Sequence, residues 1–440
     1  MGFFWPVILL LLHLTQFSSA LQSVSSSFAQ MPFLTVWNAP TASCLSQYGI
    51  DLDLGMFNIV QNQNQTFMGD NVTIFYADKL GLYPRYGNQE APINGGVPQN
   101  SSLDEHLRAA SDDIRRYIPK RDFQGLAVVD WESWRPVWER NWDTKQIYWD
   151  GSKALVRSKH PDWSPAQVDT QARIEFEKAG RQFMEETLKL GREEKPDGLW
   201  GFYGFPNCYN YYKSGNYTGE CPPTERKRND ELFWLWNVSS ALYPDIYLSL
   251  QLRDLNEVVQ LYSHHRILEA MRAAAQATPE TPPVFPYARI VYTYSLNFLS
   301  QDHLVYTIGE SAALGSAGVV LWGDHLFSRS QASCEAVKSY IDETLGPYLV
   351  NVTSAAALCS QTLCSSRGRC QRRSPSSGAF LHLDPSEWKI QSHKKPTGGG
   401  RNYRVLGRLR QREVARMTAK FTCNCFPGWS GEKCSKHTKE

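Results

Sequence analysis

Residues 126–132 read LAVVDWE, an apolar run that ends in two carboxylates, Asp130 and Glu132. The unbroken apolar run with two valines predicts a fully buried strand of the kind found in parallel sheets. If the extended backbone continues, the period of two along a strand puts both carboxylates on the same side. The stretch therefore predicts the fold class and marks a candidate reactive site at the strand's carboxyl end.

Other short apolar runs have the same form, and amphipathic helices separate them. Helices are predicted from Ser102, with Glu105 completing a capping box, from Ser164 with Pro165 in first position, and over 257–275. Strands that alternate with helices predict an α/β fold, and about seven such units predict a distorted, TIM-like (β/α) barrel. The alternative is a doubly wound open sheet, although no Gly-x-Gly-x-x-Gly follows the first strand. The strand candidates are 33–38, 73–76, 126–130, 199–203, 245–247, 284–291 and 318–322.

Length and composition bound the possible functions. The 440 residues suffice for one large barrel and a small module. Lysine plus arginine is 46 and aspartate plus glutamate is 44, which gives no support to a nucleic-acid binder. Aromatic residues make up 12%, a proportion that suits a carbohydrate-stacking cleft and that a large core explains equally well.

The amino-terminal residues 1–20 are predicted to be a secretory signal peptide. An apolar run at 7–12 is followed by the small residues Ser18, Ser19 and Ala20. The alternative is a retained membrane anchor, but the run is shorter than the roughly 18 residues that a span requires. The polar carboxyl end lacks the hydrophobic tail of a lipid-anchor signal, so we expect no membrane anchor. Asn-x-Ser/Thr acceptors predict glycosylation at Asn64, Asn71, Asn100, Asn216, Asn237 and Asn351.

The ten cysteines predict disulfides in an oxidising compartment, and most of them crowd into the tail. The stretch 423–434, CNCFPGWSGEKC, resembles the closing half of an EGF-like module. We therefore expect a catalytic barrel at 21–350 and an EGF-like module at 351–440. A basic insert at about 371–422 interrupts this module and is either a polyanion contact or a solvated loop. The module resemblance implies the pairs Cys359–Cys370, Cys364–Cys423 and Cys425–Cys434.

The carboxyl ends of the barrel strands should carry the chemistry. Two close carboxyl groups do not readily both ionise, so one of Asp130 and Glu132 is held protonated and can donate to a glycosidic oxygen. The alternative is a capping pair without a catalytic role. A retaining enzyme with a protein nucleophile would use this pair, or Asp324. Otherwise the substrate's own 2-acetamido oxygen attacks, which restricts the substrate to N-acetylhexosamine linkages. The strand-end residues are Asn38, Tyr76, Asp130 with Glu132, Tyr203, Tyr247 and Trp322.

Over 33–434 the chain resembles the vertebrate hyaluronidase family, glycoside hydrolase family 56. The matching segments are TVWN at 35–38, TIFY at 73–76, VDWESWRP at 129–136, LWGFYG at 199–204, YPDIY at 243–247, IGESAA at 308–313 and GVVLWG at 318–323. The resemblance implies a retaining, substrate-assisted endo-β-N-acetylhexosaminidase that acts on β-1,4 linkages in hyaluronan and more slowly on chondroitin. Because the tyrosine at 247 is retained, hyaluronan is the expected preference.

The resemblance also implies a role for each site residue. Glu132 would be the proton donor, and Asp130 and Tyr247 would orient and polarise the acetamido group. Arg266 would offset the substrate's carboxylates, or else form a helix-surface ion pair. The remaining substrate-binding residues would be Tyr76, Tyr203, Tyr287 and Trp322, with Asn38 at a strand end, and the barrel disulfides would be Cys44–Cys334 and Cys208–Cys221.

This chemistry needs no cofactor, and no His/Cys/Asp cluster has metal-ligand spacing. We expect a monomer of the secretory pathway, lysosomal or secreted, close to the soluble members of the family. Its partner is a polysaccharide, without nucleic acid or a membrane. Two other functions remain open, a catalytically silent hyaluronan-binding or adhesion protein and a chondroitin-preferring hydrolase.

Overall fold

The computed structural model describes residues 27–394 and 401–438, so the leader predicted at 1–20 lies outside the described residues. The strands are β1 (Leu34–Asn38), β2 (Val60–Gln61), β3 (Val72–Tyr76), β4 (Arg85–Tyr86), β5 (Pro92–Ile93), β6 (Leu126–Asp130), β7 (Leu199–Phe202), β8 (Tyr287–Ala288), β9 (Gly318–Trp322), β10 (Gly368–Arg372), β11 (Trp388–Lys394), β12 (Arg401–Gly407), β13 (Phe421–Cys425), β14 (Trp429–Ser430) and β15 (Lys436–His437).

The helices are α1 (Ala42–Tyr48), α2 (Leu103–Tyr117), α3 (Gln146–Lys159), α4 (Pro165–Glu194), α5 (Pro223–Glu231), α6 (Phe233–Val238), α7 (Asn256–Gln276), α8 (Gln301–Leu304), α9 (Glu310–Ala313), α10 (Gln331–Tyr340), α11 (Gly346–Leu363) and α12 (Gln411–Lys420). Single π-turns at Val305–Gly309 and Ile341–Leu345 join α8 to α9 and α10 to α11.

The large strands form two parallel sheets, as the α/β prediction requires. One sheet has the order β2-β1-β9-β8 and the other has the order β3-β6-β7. Single parallel bridges from Tyr203 to Tyr243 and from Asp245 to Tyr287 connect β7 to β8 through residues 243–245. The two sheets therefore form a continuous curved series of neighbours.

The predicted strands at 245–247 and 284–291 are corrected by the structure. The first makes only isolated bridges, and only Tyr287–Ala288 of the second is a strand. Proline explains both interruptions, because it has no N–H to donate to a ladder. Pro244 lies just before the first segment, and Pro286 lies inside the second.

Alternate residues of both sheets share one interior. Val36, Ile74, Val128 and Val320 are fully buried in the same hydrophobic cluster, although they come from four strands of two sheets. Their strand neighbours, such as Val129, pack outwards against the helices in other clusters. This period of two is the packing expected when a sheet curves round its own side chains.

Between β2 and β3, the strands at the two ends of this series, side chains replace backbone pairing. In the described part of the chain no ladder joins β2 to β3. The buried Asn62 side chain lies between them, accepting from the Val72 amide at 3.1 Å and donating to the Val72 carbonyl at 2.6 Å. Asn71 also donates to the Gln61 carbonyl at 2.7 Å. The α/β fold is thus present, while full closure into a barrel stays a prediction.

Two of the predicted helix starts have an N-cap serine, but the reciprocal capping box predicted at Ser102 and Glu105 is only half formed. Ser164 and Gln167 form a reciprocal capping box at α4, with Pro165 in the first turn. At α2 the Ser102 hydroxyl accepts from the Glu105 amide at 3.3 Å. These caps satisfy amide groups that the first helical turn leaves without partners.

The five disulfides join the pairs that the resemblances implied, Cys44–Cys334, Cys208–Cys221, Cys359–Cys370, Cys364–Cys423 and Cys425–Cys434. In the tail, β10 pairs with β13 and β14 with β15, both antiparallel. The boundary proposed between 350 and 351 falls inside α11.

The described part of the basic insert is folded rather than a solvated loop, and contact with a polyanion stays a prediction. Its described part folds into the antiparallel pair β11–β12 followed by α12. Arg372 is buried, and its guanidinium donates to both oxygens of Glu310 at 2.6 and 2.8 Å. Arg416 pairs with Asp384 at 2.7 Å. The pattern of basic residues suggested a solvated loop because sequence alone does not reveal these acidic partners.

No helix within residues 27–394 and 401–438 combines the length and the apolar composition that crossing a bilayer would take.

Candidate active site

The carboxyl ends of neighbouring strands bring several predicted site residues together. In the β3–β6 ladder Tyr76 lies opposite Asp130, and in the β1–β9 ladder Asn38 lies opposite Trp322. The Trp322 indole N–H donates to the Tyr76 hydroxyl at 3.0 Å, so the two sheets meet at this edge. Parallel strands end at the same edge, which is why sequence-distant residues converge here.

Asp130 and Glu132 lie in opposite environments. Asp130 is half-buried, and its Oδ1 has no hydrogen-bond partner among the described residues. Burial, with repulsion from Glu132 added, raises the pKa of Asp130 to about 8. The Glu132 side chain is 60% exposed. The proton that the pair was predicted to hold is therefore favoured on Asp130 when nothing is bound.

Two cations that were not predicted as site residues, Arg135 and Lys145, lie beside Glu132. Arg135 lies 3.7 Å from the Glu132 carboxylate and donates to the Glu132 carbonyl at 3.0 Å. Lys145 donates to the same carbonyl and to the Ser133 carbonyl. Burial and the nearby Arg135 lower the pKa of Lys145 to about 8. Both cations hold the backbone of 132–133 in place. Arg135 could have been recognised from the sequence, because it lies in the matched segment VDWESWRP.

An aromatic wall faces the carboxylates. The rings of Tyr203 and Tyr247 are 6.0 Å apart, and Tyr247 stacks with Trp322 at 6.1 Å. Tyr203 meets Tyr287 edge to face at 5.2 Å. Burial raises the pKa of Tyr76, Tyr203, Tyr247 and Tyr287, so these phenols stay protonated and can donate hydrogen bonds. The Tyr287 hydroxyl is buried and makes no hydrogen bond within the described residues.

Arg289 is a residue of this site that was not predicted from the sequence. Its guanidinium lies 4.8 Å above the Trp322 ring and 5.9 Å from the Tyr247 ring, and it donates to Asp324 at 2.8 Å. Its side chain is 5% exposed. Asp324 is thus paired with Arg289. The available signal was a charged residue two positions after Tyr287 in an otherwise apolar run.

Arg266 is buried rather than at a helix surface. It donates to the Asp245 carboxylate at 2.8 Å, to the Asp245 carbonyl at 2.9 Å and to Asn210 at 2.9 Å. Tyr211 and Tyr262 lie 5.0 and 4.5 Å from its guanidinium. The helix-surface ion pair is therefore wrong, and the role of Arg266 towards sugar stays a prediction.

Asn38 is the other buried polar residue at this edge. It is fully buried at the end of β1, and neither its amide nitrogen nor its oxygen is bonded to any residue that the structure describes. No group of three or more His, Cys, Asp or Glu residues that could hold a metal ion occurs in 27–394 or 401–438.

Comparisons with known proteins agree with this geometry. A family model described as Hyaluronidase matches residues 22–438. Hyaluronidase-1 of Homo sapiens is 49% identical and that of Sus scrofa 48%, each over 92% of this chain and 92% of the relative. Bee venom hyaluronidase, solved in complex with a hyaluronic acid tetramer, is 33% identical, with a TM-score of 0.67 over 72% of this chain and 98% of that one.

Proposed function

This chain belongs to the hyaluronidase family and is an enzyme of that family; on that premise we propose that it is an endo-β-N-acetylhexosaminidase that hydrolyses β-1,4 linkages in hyaluronan, with chondroitin as a minor substrate. One observation carries the proposal, the contrast between the half-buried Asp130, whose pKa is raised, and the exposed Glu132. The bee venom relative, solved with a hyaluronic acid tetramer, supports the substrate class.

Substrate entry moves the proton between the two carboxyl groups. The acetamido N–H of the bound sugar donates to Asp130, whose Oδ1 has no other partner in the described chain. A hydrogen bond to the carboxylate favours its ionised form, so the proton shared by the pair becomes available on Glu132. Glu132 faces solvent and therefore can reach the glycosidic oxygen of an incoming polymer.

Cleavage then proceeds in two displacements. Glu132 protonates the leaving oxygen while the acetamido carbonyl oxygen bonds to C1 from the opposite face and the C1–O bond breaks. The ionised Asp130 offsets the positive charge that develops on the acetamido group. The Glu132 carboxylate next takes a proton from water, and the water oxygen attacks C1. The bond between C1 and the acetamido oxygen breaks, which opens the five-membered ring formed in the first displacement and leaves the sugar ring intact. Two inversions leave the β configuration at the new reducing end.

The aromatic wall orients the reacting sugar. Tyr247 donates to the acetamido oxygen, because burial keeps its phenol protonated. Tyr203 and Trp322 flank Tyr247 and shape the subsite for that sugar. Tyr76, Tyr287, Arg266 and Asn38 complete the substrate-binding set.

The wider organisation is proposed on the same premise. The chain enters the secretory pathway through a signal peptide at 1–20 and works as a monomer in the lysosome or outside the cell. The two parallel sheets close into a distorted barrel within 21–350, and 351–440 is an EGF-like module. The acceptor asparagines Asn64, Asn100 and Asn216 are exposed, whereas Asn71, Asn237 and Asn351 are half-buried.

The test is incubation of the purified chain with high-molecular-mass hyaluronan, and separately with chondroitin, from about pH 3.5 to about pH 7.5. Size-exclusion chromatography should show a rapid fall in hyaluronan size through internal cleavage, and a slower fall for chondroitin. Proton NMR of the first product should show the β anomer. An inverted anomer would contradict substrate assistance, and polymer binding without cleavage at any pH would favour an adhesion protein.

A further inference from the structure

The surface beside the catalytic pair carries an aromatic ledge, formed by Trp142, Tyr209 and Tyr211. Trp142 is 41% exposed and Tyr211 is 56% exposed, which is unusual for such large rings. Trp142 meets Tyr209 edge to face at 5.0 Å, and Tyr209 meets Tyr211 at 6.5 Å. The three rings therefore form one connected surface rather than scattered exposed residues.

The backbone holds this ledge in an unfavourable conformation. Tyr209 has φ of 52°, in the left-handed region that bulky residues rarely occupy. Its amide donates to the Asn207 side chain at 2.9 Å, and Asn207 in turn donates to Asp245 at 3.3 Å. Arg140 and Arg266, both buried in ion pairs, support the Tyr209 and Tyr211 rings at 5.1 and 5.0 Å. Anchored in this way, the rings keep a fixed surface towards solvent.

The ledge is continuous with the catalytic pair. The Lys145 amide donates to the carbonyl of Trp142 at 3.1 Å, and the Arg135 guanidinium lies 3.7 Å from the Glu132 carboxylate. Arg135 and Lys145 both donate to the Glu132 carbonyl. Lys145 thus connects Trp142, at one end of the ledge, to the backbone of Glu132.

This placement assigns a direction. A proton donor faces the oxygen that leaves, so the sugar attached to that oxygen extends past Glu132 and away from the acetamido subsite. A β-linked pyranose presents axial C–H bonds on its faces, which pack on aromatic rings. Arg135 and Lys145 place positive charge where the acidic sugar of the polymer would come. We propose that the ledge of Trp142, Tyr209 and Tyr211 is a subsite for the leaving-group side of a β-linked acidic polysaccharide, an inference that rests on the proposed function.

Two substrates separate a subsite from a structural effect. A decasaccharide of hyaluronan reaches the ledge, whereas a hexasaccharide β-fluoride leaves a single atom on that side. Trp142→Ala and Tyr211→Ala should each lower kcat/KM for the decasaccharide by about tenfold and leave the fluoride within about twofold. Cleavage of the decasaccharide should also shift towards its reducing end, because the variant gains less from sugars beyond the cut. Phe233→Ala, at an exposed ring of 42% on α6, is the matched control and should change neither.

Several results would contradict the proposal that the ledge is a sugar subsite. Equal losses on both substrates would mean that the variants disturb the catalytic pair, and no loss on either would mean that sugar does not touch the rings. A changed association state in sedimentation, with cleavage intact, would make the ledge a contact between copies of the chain.

A failure of the proposed function has a different signature, since the unaltered chain would then cleave neither substrate. In that event calorimetry tests whether the ledge binds sugar. It compares the affinity of Glu132→Gln for the decasaccharide with that of Glu132→Gln/Trp142→Ala. Equal affinities would reject the ledge, and an affinity about tenfold weaker in the double variant would support it.

Discussion

Two shielded carboxylates in this molecule have opposite surroundings. Glu310, 1% exposed, receives hydrogen bonds from Arg372 on both oxygens and lies 2.7 Å from His264. Asp130, at the end of β6, has an oxygen without a partner in the described structure, and its pKa is raised to about 8, by burial first and Glu132 second. Burial is common to both, but only one of them has its charge neutralised.

The difference separates a structural site from a reactive one. Glu310 lies in α9 and Arg372 in β10, so their ion pair attaches the tail to the body of the fold. A carboxylate with all its partners present has nothing to offer a substrate, whereas Asp130 has an oxygen without a partner in the described structure, which accepts the acetamido N–H in the proposed mechanism. Removing one group from each region should therefore change different properties.

The largest effect should come from Glu132→Gln. The amide keeps the shape of the side chain but has no proton to donate, so kcat should fall about a thousandfold while the free energy of unfolding stays unchanged. Steady-state cleavage of hyaluronan and urea unfolding would check both parts. Glu231→Gln, at an exposed acid ending α5, is the control and should leave kcat unchanged. Substantial residual activity in Glu132→Gln would remove Glu132 from the role of acid.

The opposite result is expected for Arg372→Met. The substitution leaves Glu310 buried without its cation, which should lower the free energy of unfolding by about 3 kcal/mol or more. Well below the unfolding transition, kcat should be unchanged because the contacts that the described structure gives Arg372 include no site residue.

The adjacent Arg373 offers a matched control. It is exposed and donates through its side chain to the Thr418 carbonyl at 2.9 Å, so Arg373→Met should change stability by about 0.5 kcal/mol at most. If Arg372→Met lowered kcat as much as Glu132→Gln does, the proposed separation of the two regions would be wrong.

Asp130→Asn should have an intermediate effect with a pH signature. Between about pH 4 and pH 8 the folded chain keeps a proton on Asp130 that the unfolded chain has released, so stability falls as the pH rises. Asparagine abolishes this dependence, and the slope of unfolding free energy between about pH 5 and pH 7 should become less negative by about 1 kcal/mol per pH unit. Urea titrations at several pH values measure the slope, and kcat should fall about a hundredfold.

The exposed Asp122 provides the comparison for this experiment. Asp122→Asn should leave both the slope and kcat as they are. An unchanged slope in Asp130→Asn would mean that Asp130 is not held protonated in the folded chain.

The sequence predicted the strand ends better than it predicted the strands. Apolar runs such as 126–130 and 318–322 match β6 and β9 residue for residue, because a buried parallel strand has to be apolar throughout. The run at 284–291 looked similar, yet Pro286 limits it to the two residues of β8. A hydrophobic pattern records burial, whereas a ladder also requires backbone donors.

The site residues that escaped prediction are those whose role depends on a distant partner. Arg289 lies in an otherwise apolar run, so its role was not evident from the local sequence. That role depends on Trp322, the last residue of β9, and on Asp324, which follows it. The basic insert suggested a solvated loop because Glu310, the partner of Arg372, lies 62 residues away. Strand-end carboxylates could be found locally, and so could Arg135, three residues after Glu132. Arg289 and Arg372 could not, because their acidic partners lie far along the chain.

The smallest effect should come from Arg289, which touches the aromatic wall rather than the carboxylates. Its guanidinium holds Trp322 and Tyr247 by cation–π contact, worth about 1 kcal/mol, so Arg289→Met should lower kcat/KM about fivefold. The fall should lie in kcat, since a loosened Tyr247 orients the acetamido group poorly while the rest of the polymer still binds. Arg289→Lys, which keeps the charge near both rings, should recover part of the loss. If kcat/KM fell only because KM rose, and lysine did not restore it, Arg289 would contact the sugar directly. The reacting subsite would then contain a second charged group in addition to Asp130.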